Sequence, residues 1–277
     1  MRRFWRGPLL CAAALLLFSM TLVLSGCGEG GGGRAEVLAM MEKVPGDAVE
    51  CTFLDLRELR ADGDLKDIYQ STTAELSDSE DAGIPTDSVD RMAQAGSLTI
   101  LEGRFDLPAL EGELAGGGYT RSDHEGTPVW RGPSSSVALV SSSCLVTGWD
   151  AGEVADCIDV IGGDGDSLRS SAEVSELLDR LPGGFMVMVF AGGESFADLY
   201  QGVMAIGYSL AKDGSDRARI TLILAFADAA SAGDAEDGVE EMLDYEGGQN
   251  GASDITVTRD GRFVKATGLM SIDDALD

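Results

Sequence analysis

A chain with 48 acidic side chains and one histidine has few routes to histidine-based catalysis or metal binding. A Ser-His-Asp arrangement would have to use His124 as its base, and zinc sites built on several histidines are excluded. His124 stands beside Glu125-Gly126, a turn signal, so it reads as an exposed turn residue. Gly193-Glu194-Ser195-Phe196-Ala197 and Gly207-Tyr208-Ser209-Leu210-Ala211 each lack the last glycine of a G-x-S-x-G elbow. A hydrolase built on Ser195 or Ser209 with His124 therefore needs distant residues to converge. Asp159, Asp164, Asp166 and Ser167 surround a glycine loop that invites calcium. Counting an EF-hand from Asp164 puts Leu168 and Ser175 where an oxygen ligand and the closing glutamate belong, so the loop reads as solvated. Asp62-Gly63-Asp64 fails in the same way, and no phosphate-binding glycine motif follows a strand. The expectation is no catalytic residue, no metal, no cofactor and no enzyme.

The other reactive groups are five cysteines. Cys11 lies in an apolar leader and Cys27 at its end, leaving Cys51, Cys144 and Cys157 for the body. Three thiols cannot all pair. Cys51 falls in a strand pattern, and Cys157 shares a helical face with Val154, Ile158 and Ile161, so buried free thiols are the first reading and a Cys144 to Cys157 bridge the second.

Arg2, Arg3 and Arg6 precede an apolar run from Leu9 to Leu24, the layout of an export signal and too short for a spanning helix. The run ends Leu24-Ser25-Gly26-Cys27, which resembles the lipobox of bacterial lipoproteins. That resemblance implies cleavage before Cys27 and acyl chains on its thiol, hence a lipid-anchored protein on the extracytoplasmic face of the cell membrane. Gly28-Glu29-Gly30-Gly31-Gly32-Gly33 then forms a flexible tether. Without residues 1–26 the chain keeps 17 basic against 48 acidic side chains, a formal −31. Nucleic acid and anionic lipid surfaces are poor partners for such a body. The expected partner is the membrane, through the lipid on Cys27, with an unknown protein or small-molecule ligand besides.

The elements that must position these residues follow from periodicity. Leu65, Ile68, Tyr69, Thr72 and Leu76 recur at helical spacing. Val49, Cys51 and Phe53 alternate as in a strand. Ile84-Pro85 opens a short helix to Ala95, and 97–104 is a strand. Asp106 caps a helix, hairpins span 119–130 and 136–147, and Asp150 caps another helix. Ser170 to Glu173 reads as a capping box. An apolar strand at 185–190 precedes a helix marked by Phe196, Leu199, Tyr200 and Val203. A strand at 219–226, a helix at 228–245 and a hairpin about Asp260-Gly261 complete the pattern.

Both halves then read strand, helix, strand, helix, hairpin. Leu98-Thr99-Ile100-Leu101 echoes Ile220-Thr221-Leu222-Ile223, and the same shift carries Asp106 onto Asp228. The expected fold is α+β, with two related lobes from an internal repeat and mostly antiparallel sheets. The organisation is 1–26 signal peptide, 27–34 tether, 35–182 first lobe and 183–277 second lobe. Val44-Pro45-Gly46-Asp47-Ala48, Gly103-Arg104-Phe105-Asp106, Gly126-Thr127-Pro128-Val129-Trp130 and Val146-Thr147-Gly148 resemble the DUF3352-like bacterial lipoproteins over most of 44–270. That resemblance implies a fold and no catalytic residue. The functional expectation is a non-catalytic binding or structural module; the alternative, drawn from anchor, spacer and two lobes, is the substrate-binding lipoprotein of a transporter.

Overall fold

The computed structural model describes residues 33–78, 83–192, 202–214, 217–249 and 251–271. The leader, Cys27 and Ser195 lie outside the described residues. Helix α1 (Arg34–Met41) turns Val37, Met40 and Met41 inward at i, i+3 and i+4. Strand β1 (Glu50–Leu54) leads to α2 (Leu56–Ala61), capped by Asp55, and α3 (Lys66–Asp78). Strands β2 (Val89–Ala95) and β3 (Leu98–Gly103) precede α4 (Leu107–Gly116), where Asp106 accepts from the Ala109 amide. Two hairpins follow, β4 (Thr120–His124) with β5 (Thr127–Arg131), and β6 (Ser136–Ser141) with β7 (Cys144–Gly148). The first turns through Glu125 and Gly126, both at positive φ, which suits a tight hairpin. Helix α5 (Ala151–Gly162) starts on the Asp150 cap and stops at left-handed Gly163. Helix α6 (Ala172–Leu178) takes its cap from Ser171; the reciprocal capping box lies earlier, between Ser167 and Ser170. Strands β8 (Met186–Ala191), β9 (Val203–Lys212) and β10 (Arg217–Phe226) come next. Helix α7 (Ala229–Gln249) and the hairpin β11 (Ala252–Asp260) with β12 (Phe263–Ser271) complete the described chain.

All twelve strands join one sheet in the order β11-β12-β10-β9-β8-β1-β2-β3-β7-β6-β5-β4, and every pairing is antiparallel. The expectation of two lobes from a repeat is thereby corrected. Two strands escaped the periodicity argument. Residues 89–95 were expected to be helical, yet Val89-Asp90-Arg91-Met92-Ala93-Gln94-Ala95 is β2, filling the gap between β1 and β3. Val203, assigned to a helix, opens the ten-residue strand β9 between β8 and β10. With β2 and β9 in place, β1-β2-β3 and β8-β9-β10 are meanders, each with a free leading edge. An unpaired edge exposes a row of backbone donors and acceptors. β1 and β8 satisfy each other instead, with Glu50 to Leu54 opposite Phe190 to Met186, and one sheet results.

One face of this sheet is covered by α1, α5 and α6, over Cys51, Phe53, Ile100, Val146, Val187 and Val189. Gly207 is small because Leu177 of α6 packs directly on it; an added Cβ would meet that side chain at 3.1–3.2 Å. The opposite face carries two separate clusters. Helices α2, α3 and α4 cover Leu54, Met92, Leu101, Leu145 and Leu139, while α7 covers Leu224, Phe226 and Val264. Between the rows that these two clusters occupy, the described residues form a row of half-buried and exposed side chains.

Candidate functional site

Successive pairings on the α7 face define a row that crosses the whole sheet. It runs Val257, Ala266, Leu222, Tyr208, Met188, Thr52, Gln94, Thr99, Thr147, Val137, Trp130 and Arg121. Alternation places all of them on one face, since side chains two residues apart along a strand share a side. Ala266 is buried at one end, and Val137 and Trp130 are buried at the other. The seven central positions are different. Leu222, Tyr208, Met188, Thr52, Thr99 and Thr147 are half-buried, and Gln94 is exposed.

This stripe divides chemically. Leu222, Tyr208 and Met188 offer an apolar floor; Thr52, Gln94, Thr99 and Thr147 offer three hydroxyls and an amide. Among the described residues none of these four side chains makes a hydrogen bond to the protein. Threonine suits both demands, because its β-branch favours a strand while its hydroxyl tolerates water. Desolvation by burial pushes the Tyr208 phenol's pKa upward. The seven side chains of the stripe include no carboxylate, no thiol and no imidazole.

The residues singled out from sequence do not assemble into a second centre. His124 Nε2 lies 2.7 Å from Asp159 Oδ1, tying the β4-β5 hairpin to α5. Ser209 is fully buried on β9, eight strands along the sheet from β4, so His124 cannot serve it. Asp164 donates its amide to the Asp159 carbonyl, and the Asp166 carbonyl accepts from the Gly46 amide; backbone closure occupies that loop. Among the described residues no group of three or more His, Cys, Asp or Glu side chains is set to hold a metal. The Asp62 carboxylate is 2.6 Å from Lys212 Nζ, a nearly buried ammonium, and that partner helps lower its pKa against the cost of desolvation.

Cys51, Cys144 and Cys157 are free and buried. Desolvation pushes their thiols up to about 12, about 11 and about 12. The Cys157 thiol donates to the Lys43 carbonyl at 3.5 Å. Sequence reasoning missed a charged network close to it. Lys43 pairs with Glu102, Arg91 Nη1 reaches Glu102 at 3.2 Å, and Arg91 Nη2 reaches Glu36 at 3.4 Å. Asp55, 1% exposed, uses Oδ1 to cap α2 while Oδ2 stands 3.9 Å from Arg91 Nε, and neither of those two atoms has a hydrogen-bond partner. The signal was present in β3, where Glu102 is the one charge in Leu98-Thr99-Ile100-Leu101-Glu102-Gly103; β2 mixes Asp90, Arg91 and Gln94 with its apolar residues.

No family model matches the chain. An uncharacterized protein of Methanocaldococcus jannaschii, MJ0635, is 24% identical over 240 residues, covering 82% of each chain. Crystal forms I and III of the protein TP0453 superpose with TM-scores of 0.52 and 0.53 at 11% identity, covering 85% of this chain and 94% and 95% of theirs. The chain shares the fold of TP0453. At that identity the likeness speaks for fold alone, and the stripe must be argued on its own residues.

Proposed function

We propose that the protein is a lipoprotein held at the extracytoplasmic face of the cell membrane by acyl chains on Cys27, where it acts as a non-catalytic binding module. The observation that carries the anchor is Leu24-Ser25-Gly26-Cys27 behind a basic and apolar leader. Among the described residues no helix is long and apolar enough to cross a membrane, so the lipid and the glycine tether supply the attachment in this reading. The binding role is supported by the open stripe and by the separation of His124 from Ser209. The transporter alternative drew on two lobes with a crevice between them, and one continuous sheet takes that ground away.

Growth of expressing cells with a radioactive fatty acid tests the anchor. Label should enter the wild-type chain and be absent from Cys27→Ser, which should also leave the membrane fraction. Label persisting in Cys27→Ser overturns the reading.

A further inference from the structure

The open stripe changes character once, between Met188 on β8 and Thr52 on β1, where the two meanders meet. On one side lie Leu222, packed against the α7 cluster, and Tyr208 and Met188, packed against the edge of the cluster that α2, α3 and α4 cover. On the other lie Thr52, Gln94, Thr99 and Thr147, flanked by the row Leu54, Met92, Leu101 and Leu145 that α2, α3 and α4 cover. Strands stand about 4.8 Å apart, so six steps give a path of roughly 29 Å, of which roughly 10 Å is apolar.

We infer that this stripe binds an uncharged, elongated amphiphile, its apolar segment over Leu222, Tyr208 and Met188 and its hydrogen-bonding segment over Thr52, Gln94, Thr99 and Thr147. The inference rests on the reading of the protein as a binding module and names its ligand class. Charge decides against the alternatives. The chain carries a formal −28, yet none of the seven side chains is charged, and the carboxylate nearest in register is Glu50 on the next row, opposite Phe190. An anionic ligand would meet the field of the whole molecule with no cation in the stripe to receive it. A cationic ligand would leave its charge over threonines and an amide, and a desolvated charge without a partner is costly. A neutral polar group meets donors and acceptors that no described residue uses. A purely polar ligand would leave Leu222, Tyr208 and Met188 wet and forgo their burial.

The test uses the full chain in lipid nanodiscs, with methionine methyl groups labelled for NMR and binding to empty nanodiscs subtracted. n-Hexyl-β-D-maltoside should shift the Met188 methyl saturably. Hexanoate, with a comparable tail and a charge, should bind roughly tenfold more weakly, and maltose alone should leave Met188 unmoved. Met188→Glu should weaken maltoside binding by roughly tenfold. Gln94→Ala with Thr99→Ala, at an exposed and a half-buried position outside the three core clusters, should weaken it several-fold while preserving the fold. Equal binding of hexanoate, binding of maltose alone, a Met188 signal that never moves, or an unchanged affinity in the folded Gln94→Ala/Thr99→Ala chain each overturns the inference. Fatty-acid labelling at Cys27 is read separately, so loss of the ligand class and loss of the anchor are distinguishable.

Discussion

Cys51, Cys144 and Cys157 lie in the layer between the sheet and α1, α5 and α6, where a thiolate would have little water to stabilise it. Their pKa values stand at about 12, about 11 and about 12, against an ordinary 9.0. In the unfolded chain they ionise from pH 9.0 while the folded chain keeps them protonated. Their contribution to stability is therefore intact below that pH and is lost as pH rises from it toward the folded values. At pH 10 each thiol costs about 1.4 kcal/mol, roughly 4 kcal/mol for the three. Denaturant midpoints at pH 8 and pH 10 should fall steeply for the wild type and less for a Cys51→Ala/Cys144→Ala/Cys157→Ala chain. Equal slopes for the two proteins would show that the thiols are not desolvated. The sequence carries part of this: Cys51 in a strand pattern and Cys157 on an apolar helical face both read as buried. It does not carry the stripe, because Thr52, Gln94, Thr99 and Thr147 come from four strands and become neighbours only through register.

Helix α1 shows how short elements are held by what surrounds them. Eight residues are too few for a stable isolated helix, so its stability must come from tertiary contacts. Val37, Met40 and Met41 supply the apolar part. Arg34 pairs with Asp179 and Glu36 with Arg91, and in the segment just beyond the helix Glu42 pairs with Arg169 and Lys43 with Glu102. Arg91 is the hub, because Glu36, Glu102 and Asp55 all lie within 3.9 Å of its guanidinium. Arg91→Ala should cost on the order of 3 kcal/mol, because Glu36 loses its cation while Glu102 keeps only Lys43 and Asp55 only the more exposed Arg57. Arg91→Lys should recover only part of it, since an ammonium cannot serve three directions as a planar fork does. Chemical denaturation of the three proteins checks both; an Arg91→Ala chain as stable as wild type would sink the hub. Capped helices are the most legible elements here, and Asp106 and Asp150 both cap where their spacing indicates. β2 was not legible. Its inward charge at Arg91 breaks the apolar alternation that marks a strand, and the partner that justifies the charge comes from β3.

For the molecule as a whole, the β1-β8 pairing decides whether there is one folding unit or two. Counting elements cannot see it. The order of elements in each half says nothing about whether two leading edges remain apart or meet. Five residue pairs join β1 to β8, and the core of the α1 face runs through that seam, with Cys51 and Phe53 beside Val189 and Val187 in one cluster. Opening the seam would expose two strand edges and divide that cluster, so unfolding on one side should carry the other with it. Val187→Pro places the disruption at the seam: proline removes an amide from a central strand, where it cannot donate to the ladder. Native-state hydrogen exchange reads the outcome on both sides. In the wild type, the amides of Ile100 in β3 and Ile223 in β10 should exchange with the same global free energy. In Val187→Pro both should lose protection by equal amounts. If Ile223 lost protection while Ile100 kept it, the two halves would be independent units despite sharing a sheet, and the single-sheet architecture would not be a single cooperative one.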